Sequence, residues 1–205
     1  MTERKMPAAT AALLAWHALR FAGSHLDLDM VNEFYRTGQV VDYTGSVRAL
    51  RELSNYKLCQ ELLYHALGQD ALADAWLIRE AHRALMDGLT PPGAEHTAAL
   101  NLLAADIDES DALRGAAVFL LRFQVLHPFR DGNERTAWML MNYRLALREL
   151  PPIPLRAEAG PRLTECLERQ EPDTLAQFLR EQAAQPEAPA HPEHIQEGGQ
   201  MAYEL

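Results

Sequence analysis

Apolar residues recur at helical spacing along almost the whole chain, and glycine or proline interrupts them each time a helix-length run is complete. A repeat of about 3.6 residues gives each run one apolar stripe, and such stripes are stable only when packed against one another. The first run is Ala9 to Phe21, with Gly23 placed to stop it, and a short second run covers Asp29 to Arg36, ended by Thr37-Gly38. Ser46 is suited to cap a long helix through Leu67, with Val47, Leu50, Leu53, Leu58 and Leu62 along its apolar side and Gly68 closing it. Asp70 is suited to cap the next, from Ala71 to Asp87, before Gly88. Thr90-Pro91-Pro92-Gly93 breaks the pattern, which resumes from Glu95 to Ala105. Ser110 would cap a helix from Asp111 to Leu126 that is apolar on most sides, and is therefore expected at the centre of the bundle. After the loop from His127 to Gly132 another helix runs to Leu150, halted by Pro151-Pro152, and two shorter ones follow over Arg162 to Arg169 and Asp173 to Ala184. The stretch Gln39 to Tyr43 is the one candidate strand and is too short to stand alone. The fold class expected is all-α, a helical bundle with at most a small β-hairpin.

Length and composition narrow the class further. At 205 residues the chain suffices for one well-buried domain, and its 48% hydrophobic and 23% charged residues are ordinary for a globular protein. No run approaches the roughly 20 apolar residues of a membrane span, and the alanine-rich start passes into a helix at Trp16, His17 and Arg20 without a cleavage signature. No membrane partner and a cytoplasmic location are therefore expected. Cys59 and Cys166 both fall in apolar-periodic segments, which favours buried free thiols over a disulfide. A net charge of −10 would repel a phosphate backbone, so nucleic acid is not an expected partner. From Pro186 the tail loses periodicity and is rich in Pro, Gly and Glu, the composition of a disordered segment.

The segment with chemical potential is His127-Pro128-Phe129-Arg130-Asp131-Gly132-Asn133-Glu134-Arg135, between the apolar helix and the next. A helix start offers unpaired N–H groups and a partial positive charge, which suit phosphate oxygens. Gly132 lets the backbone turn tightly, Asn133 can donate to a phosphate or cap the helix, and Arg135 can make a forked contact to the same group. Asp131 can hold a magnesium ion bridging phosphates, and His127 can take a proton from an incoming hydroxyl. Each residue also has a plain structural reading. Asp131-Gly132-Asn133 makes an ordinary capped turn, His127 can end a helix, and Phe129 is better read as a core anchor. His65, His82 and His96 lie on separate segments without metal-ligand spacing to a second His or Cys.

The segment resembles the signature of the Fic family, H-x-F-x-(D/E)-G-N-G-R-x-x-R. It matches at His127, Phe129, Asp131, Gly132, Asn133 and Arg135, with the commonly seen Pro128. The stretch Ile78-Arg79-Glu80-Ala81-His82-Arg83-Ala84-Leu85-Met86-Asp87-Gly88 also resembles the helix before that family's active-site flap, so that the likeness covers roughly residues 10–150. The resemblance implies a Fic-type helical bundle with a Fic core over 46–150. Residues 1–45 would form N-terminal helices like a degenerate inhibitory element, 151–185 C-terminal helices, and 186–205 a disordered tail. It also implies protein adenylyltransfer, in which His127 deprotonates a Ser, Thr or Tyr hydroxyl that attacks the α-phosphorus of ATP. Asp131 then serves Mg2+, while Gly132, Asn133, Glu134 and Arg135 line the nucleotide. The partners implied are a nucleotide and a protein target, with a homo-oligomer open.

Two motif positions depart from the family. Glu134 stands where it has glycine, which removes room and adds a charge that repels a triphosphate. Trp138 replaces the second arginine, which holds the γ-phosphate, and that loss costs roughly 1.5–3 kcal/mol of ATP binding. The inhibitory element (S/T)-x-x-x-E-(G/N) aligns with Trp16 to Gly23, so that its serine becomes Ala18 and its glutamate Ala22. The stretch Leu89 to His96 is too short and proline-rich for an obvious flap hairpin. The expected function is thus a Fic-type adenylyltransferase, weak or altered in donor. The alternative is a catalytically inactive Fic-fold binding or regulatory module.

Overall fold

Four helices of this protein start where a short polar side chain takes the first free amides. In a computed structural model, which describes residues 6–185 except 92, 94, 106 and 108, the elements are α1 (Ala8–Phe21), α2 (Leu28–Thr37), α3 (Val47–Gly68), α4 (Ala75–Met86), α5 (Thr97–Ala104), α6 (Ala112–Leu126), α7 (Asn133–Leu147), α8 (Gly160–Arg169) and α9 (Pro172–Ala184), with a 3-10 turn at Ala157–Ala159. No strand forms among the described residues, and Gln39 to Tyr43 is irregular. The tail expected to be disordered lies outside them. Asp27 accepts from Met30 N at 2.7 Å to start α2, and Ser46 accepts from Arg48 N at 3.2 Å to start α3.

Two caps fall elsewhere than the sequence suggests. Asp74, not Asp70, starts α4 by accepting from Leu77 N at 2.7 Å, because Asp70 is in the left-handed region (φ 51°) and belongs to the turn after α3. Asp111, not Ser110, starts α6, accepting from Leu113 N at 3.0 Å and Arg114 N at 3.2 Å. The end of α7 comes at Leu147 rather than Leu150, since Glu149 turns left-handed (φ 60°) and Leu150 N bonds back to Leu145 O.

The bundle centres on two helices. α6 packs against α5, α7 and α9, with Phe119 and Phe123 wholly buried, although Val125 on its outer side is 64% exposed. α7 touches α3, α4 and α6 and buries residues on most sides, including Trp138, Leu140 and Met141. α1 packs on α2 and α3, so its C-terminal end reaches the start of α7.

α3 buries Leu53 of the stripe expected and packs Leu50 and Leu62 on the core, but not the whole stripe. Val47 (81%) and Leu58 (53%) are exposed, while Leu53, Tyr56, Cys59 and Leu63 are buried alongside Glu52, Asn55 and Gln60. Those polar residues are inside because each finds a partner across the bundle, as burial demands. Asn55 Nδ2 donates to Leu85 O (3.0 Å) and Asp87 O (2.9 Å), and Gln60 Nε2 donates to Ala11 O (3.1 Å). Cys59 and Cys166 are both buried and free, and burial pushes both thiols up. No helix of the described residues is long and apolar enough to cross a membrane.

Candidate functional site

The loop between α6 and α7 is held from within by Asn133 and from outside by His82. His127 ends α6 in the left-handed region (φ 41°), its N–H donating to Phe123 O at 3.0 Å, and this turn sends its side chain into solvent. Phe129, 2% exposed, anchors the loop in the core. Asn133, the first residue of α7, folds back on it: Nδ2 donates to Phe129 O at 2.7 Å and Oδ1 accepts from Phe129 N at 3.1 Å. Its amide is thus spent on the loop backbone, not on capping α7.

The His82 ring stacks on Phe129 at 3.6 Å between centroids and 6° between planes, and its Nε2 lies 3.0 Å from Asp131 O. Burial holds the His82 imidazole below its ordinary range, and because Nε2 faces a carbonyl oxygen that nitrogen carries the proton and donates. The same peptide is fixed at its other end, where Gly132 N donates to the Asp131 carboxylate at 2.6 Å. His82 therefore acts on the Asp131 carboxylate through one peptide plane. Gly132 has φ 73°, and a Cβ there would lie 2.4 Å from Met86 Sδ, so both the dihedral and the close approach of α4 require glycine. The segment before α5 also bears on the loop: His96 N donates to Pro128 O at 3.1 Å. A flap hairpin is not formed by its described residues.

The N-terminus of α7 differs from those of α2, α3, α4 and α6. Its cap is Gly132, and no side chain accepts from its first amides. These amides stand at a cavity of about 300 Å³ lined by His127, Asn133 and Glu134 on one side and by Phe21, Leu163 and Leu167 on another. The exposed imidazole and the uncapped helix start thus share one opening. Asp131 lies outside this lining, exposed on the loop.

Arg135 faces elsewhere. Its Nη1 lies 3.0 Å from Glu52 Oε1, whose side chain is 7% exposed and which also meets Arg48 Nε at 3.3 Å. Arg135 lines a separate polar cleft of about 520 Å³ between the end of α1 and the start of α3. Trp138, at the position of the family's second arginine, is buried, and its Nε1 donates to Ile153 O at 2.9 Å. Of the residues singled out in the sequence, His127, Asn133 and Glu134 therefore converge on one cavity. Gly132 turns the chain into it, and Asp131 and Arg135 do not line it.

Sequence reasoning passed over His82 and Glu52. His82 was set aside for lacking metal-ligand spacing, although its place in the stretch resembling the pre-flap helix is a signal that it faces the loop. Glu52 carries no motif, and its contact with Arg135 joins residues 83 apart in the chain.

Comparison with known proteins bears on the fold and the family. A profile of the Fic/DOC family matches residues 10–145. The chain is similar in fold to Fic-1 from C. elegans (20% identity, TM-score 0.73), covering 88% of this chain and 64% of that one. It is also similar to a Fic domain containing signaling protein from Bacteroides thetaiotaomicron (15% identity, TM-score 0.73, 86% of this chain and 83% of that one). A third likeness is to a Fic family protein from Desulfovibrio desulfuricans (16% identity, TM-score 0.67, 85% and 62%). The chain thus spans a little under two thirds of the nematode structure. No curated protein sequence matches it. With the matched region running from α1 through α7 and the signature loop in the family's place between two core helices, the chain belongs to the Fic/DOC family.

Proposed function

We propose that the protein is a Fic-type transferase that moves a nucleotidyl group from a nucleotide onto a Ser, Thr or Tyr hydroxyl of a protein, with weak use of ATP. The observation that carries this reading is that the exposed His127 imidazole and the side-chain-uncapped start of α7 open on the same cavity. In the proposed step His127 accepts the proton of the target hydroxyl, whose oxygen forms a bond to the α-phosphorus. The bond from that phosphorus to the pyrophosphate oxygen breaks, and pyrophosphate leaves with the electron pair. The first amides of α7 receive the charge on the phosphate. Asn133 contributes by holding the loop in shape, and Glu134 stands at the rim.

No group of three His, Cys, Asp or Glu side chains among the described residues is placed to hold a metal. Asp131, exposed beside the cavity though not in its lining, is the carboxylate that would meet a Mg2+ ion carried by phosphates, to which a protein often gives only one or two carboxylates. Bound in that way Mg2+ would offset the phosphate charge. Two buried free thiols suit a reducing compartment such as the cytoplasm.

The test is incubation with ATP radiolabelled at the α-phosphate. Wild type is expected to label itself or a protein acceptor slowly, and His127→Ala to lose labelling while keeping nucleotide binding. Labelling that survives this change would rule out the proposed base. A second reading, a Fic-fold module that binds without catalysis, is favoured by Glu134, Trp138 and the Glu52–Arg135 pair. It predicts no labelling by either protein and no thermal shift with millimolar nucleotide and Mg2+, where binding at 100 times the dissociation constant would stabilise by about 2.7 kcal/mol.

A further inference from the structure

Resting on the nucleotide reading of this cavity, we infer that its preferred donor is a nucleoside diphosphate esterified at its distal phosphate by an uncharged or cationic group. In the transfer the target oxygen bonds to the α-phosphorus, the bond from that phosphorus to the bridging oxygen breaks, and the phosphate ester of the distal group leaves with the electron pair. A nucleoside triphosphate is disfavoured. The charges on the walls decide this. Among the described residues, the Glu134 carboxylate is the one permanent side-chain charge lining the cavity, His127 is the one imidazole, and no Arg or Lys lines it.

The two guanidinium positions that a triphosphate would need on α7 are both withdrawn. Arg135 pairs with the buried Glu52 carboxylate and lines a different cleft. Trp138 presents no charge, and its one donor is occupied by Ile153 O. What remains for an anion is the start of α7, a partial charge of roughly half an elementary unit. That suits one phosphate lying close to it. A second phosphate with a free terminus, and still more a third, adds negative charge beside Glu134 that only a carried Mg2+ ion, and no side-chain cation, is there to offset.

Esterifying the distal phosphate removes one of those charges, and a cationic group placed beyond it meets Glu134 favourably. The remaining wall, with Phe21, Leu120, Leu163 and Leu167, is apolar and suited to ring systems at either end of such a molecule.

Isothermal titration of the full chain in Mg2+ with ATP, ADP, ADP-ribose and oxidised nicotinamide adenine dinucleotide tests this. All four share adenosine and its first two phosphates and differ only beyond them. ADP-ribose and the dinucleotide are expected to bind at least about tenfold more tightly than ATP, with ADP between. Glu134→Gln, an exposed and nearly isosteric change, is expected to raise ATP affinity and narrow that gap. ATP binding as tightly as the esterified compounds would overturn the inference while leaving the nucleotide reading intact. A gap unchanged in Glu134→Gln would overturn it as well, since the selection would then come from elsewhere. Absence of binding by all four would overturn the nucleotide reading itself, and the inference with it.

Discussion

Gly132 and Asn133 carry the loop's shape, for separate reasons. A methyl group at Gly132 must displace the buried Met86 side chain and also occupy φ 73°, where a Cβ is strained. Gly132→Ala is expected to destabilise the protein by about 2 kcal/mol in urea unfolding, and Met86→Ala in the same chain should return part of that loss on a double-mutant cycle. Asn133→Ala removes both hydrogen bonds to Phe129 and leaves a buried N–H and C=O without partners, at a cost of about 2–3 kcal/mol by the same measurement. A loss below about 0.5 kcal/mol would mean that the loop holds without it. The signature was legible at these positions because each residue type is demanded by backbone geometry. The duty of Asn133 was not: its amide could equally have faced a phosphate, and only the position of Phe129 decides which. The place of His82 was not legible for a related reason, since spacing arguments look for a second ligand and its partners are a ring and a carbonyl.

At the scale of elements, helix existence followed from periodicity, whereas helix ends followed from which of several competing caps the chain could reach. Asp70 and Asp74 are equally good capping residues in sequence, and the turn after α3 claims the first. The α3 stripe was only partly legible because hydropathy scores Glu52, Asn55 and Gln60 as outward, while their partners on α7, α4 and α1 bring them inside. Asn55 is the clearest case, for it accepts the role of a cap at the far end of α4, donating to two carbonyls there. Asn55→Ala is expected to cost about 2 kcal/mol and to raise amide exchange at the end of α4 more than at its start. Exchange rising uniformly along α4 would show that Asn55 does not pin that end.

Across the whole molecule, α1 links stability to the site, since Phe21 lines the cavity and Ala22 the neighbouring cleft. Ala18 and Ala22, at the end of α1, carry no charge to set against α7. Higher along α1, burial holds the His17 imidazole at about 4 against an ordinary 6.5, with Arg156 pushing the same way and Glu158 opposing. The depressed value means that the unfolded chain binds the proton more readily. Stability is therefore full above pH 6.5 and falls as the pH is lowered toward 4. Thermal melts of His17→Gln should lose much of that acid slope, and an unchanged slope would assign it to other groups. The account as a whole stands on phosphate meeting the start of α7 beside His127. Backbone amide shifts on titration with Mg2+ and ADP-ribose measure that contact directly. The account predicts the largest changes at Asn133, Glu134 and Arg135, with α9 unmoved. Saturating shifts confined to other helices, or none at millimolar ligand, would contradict it.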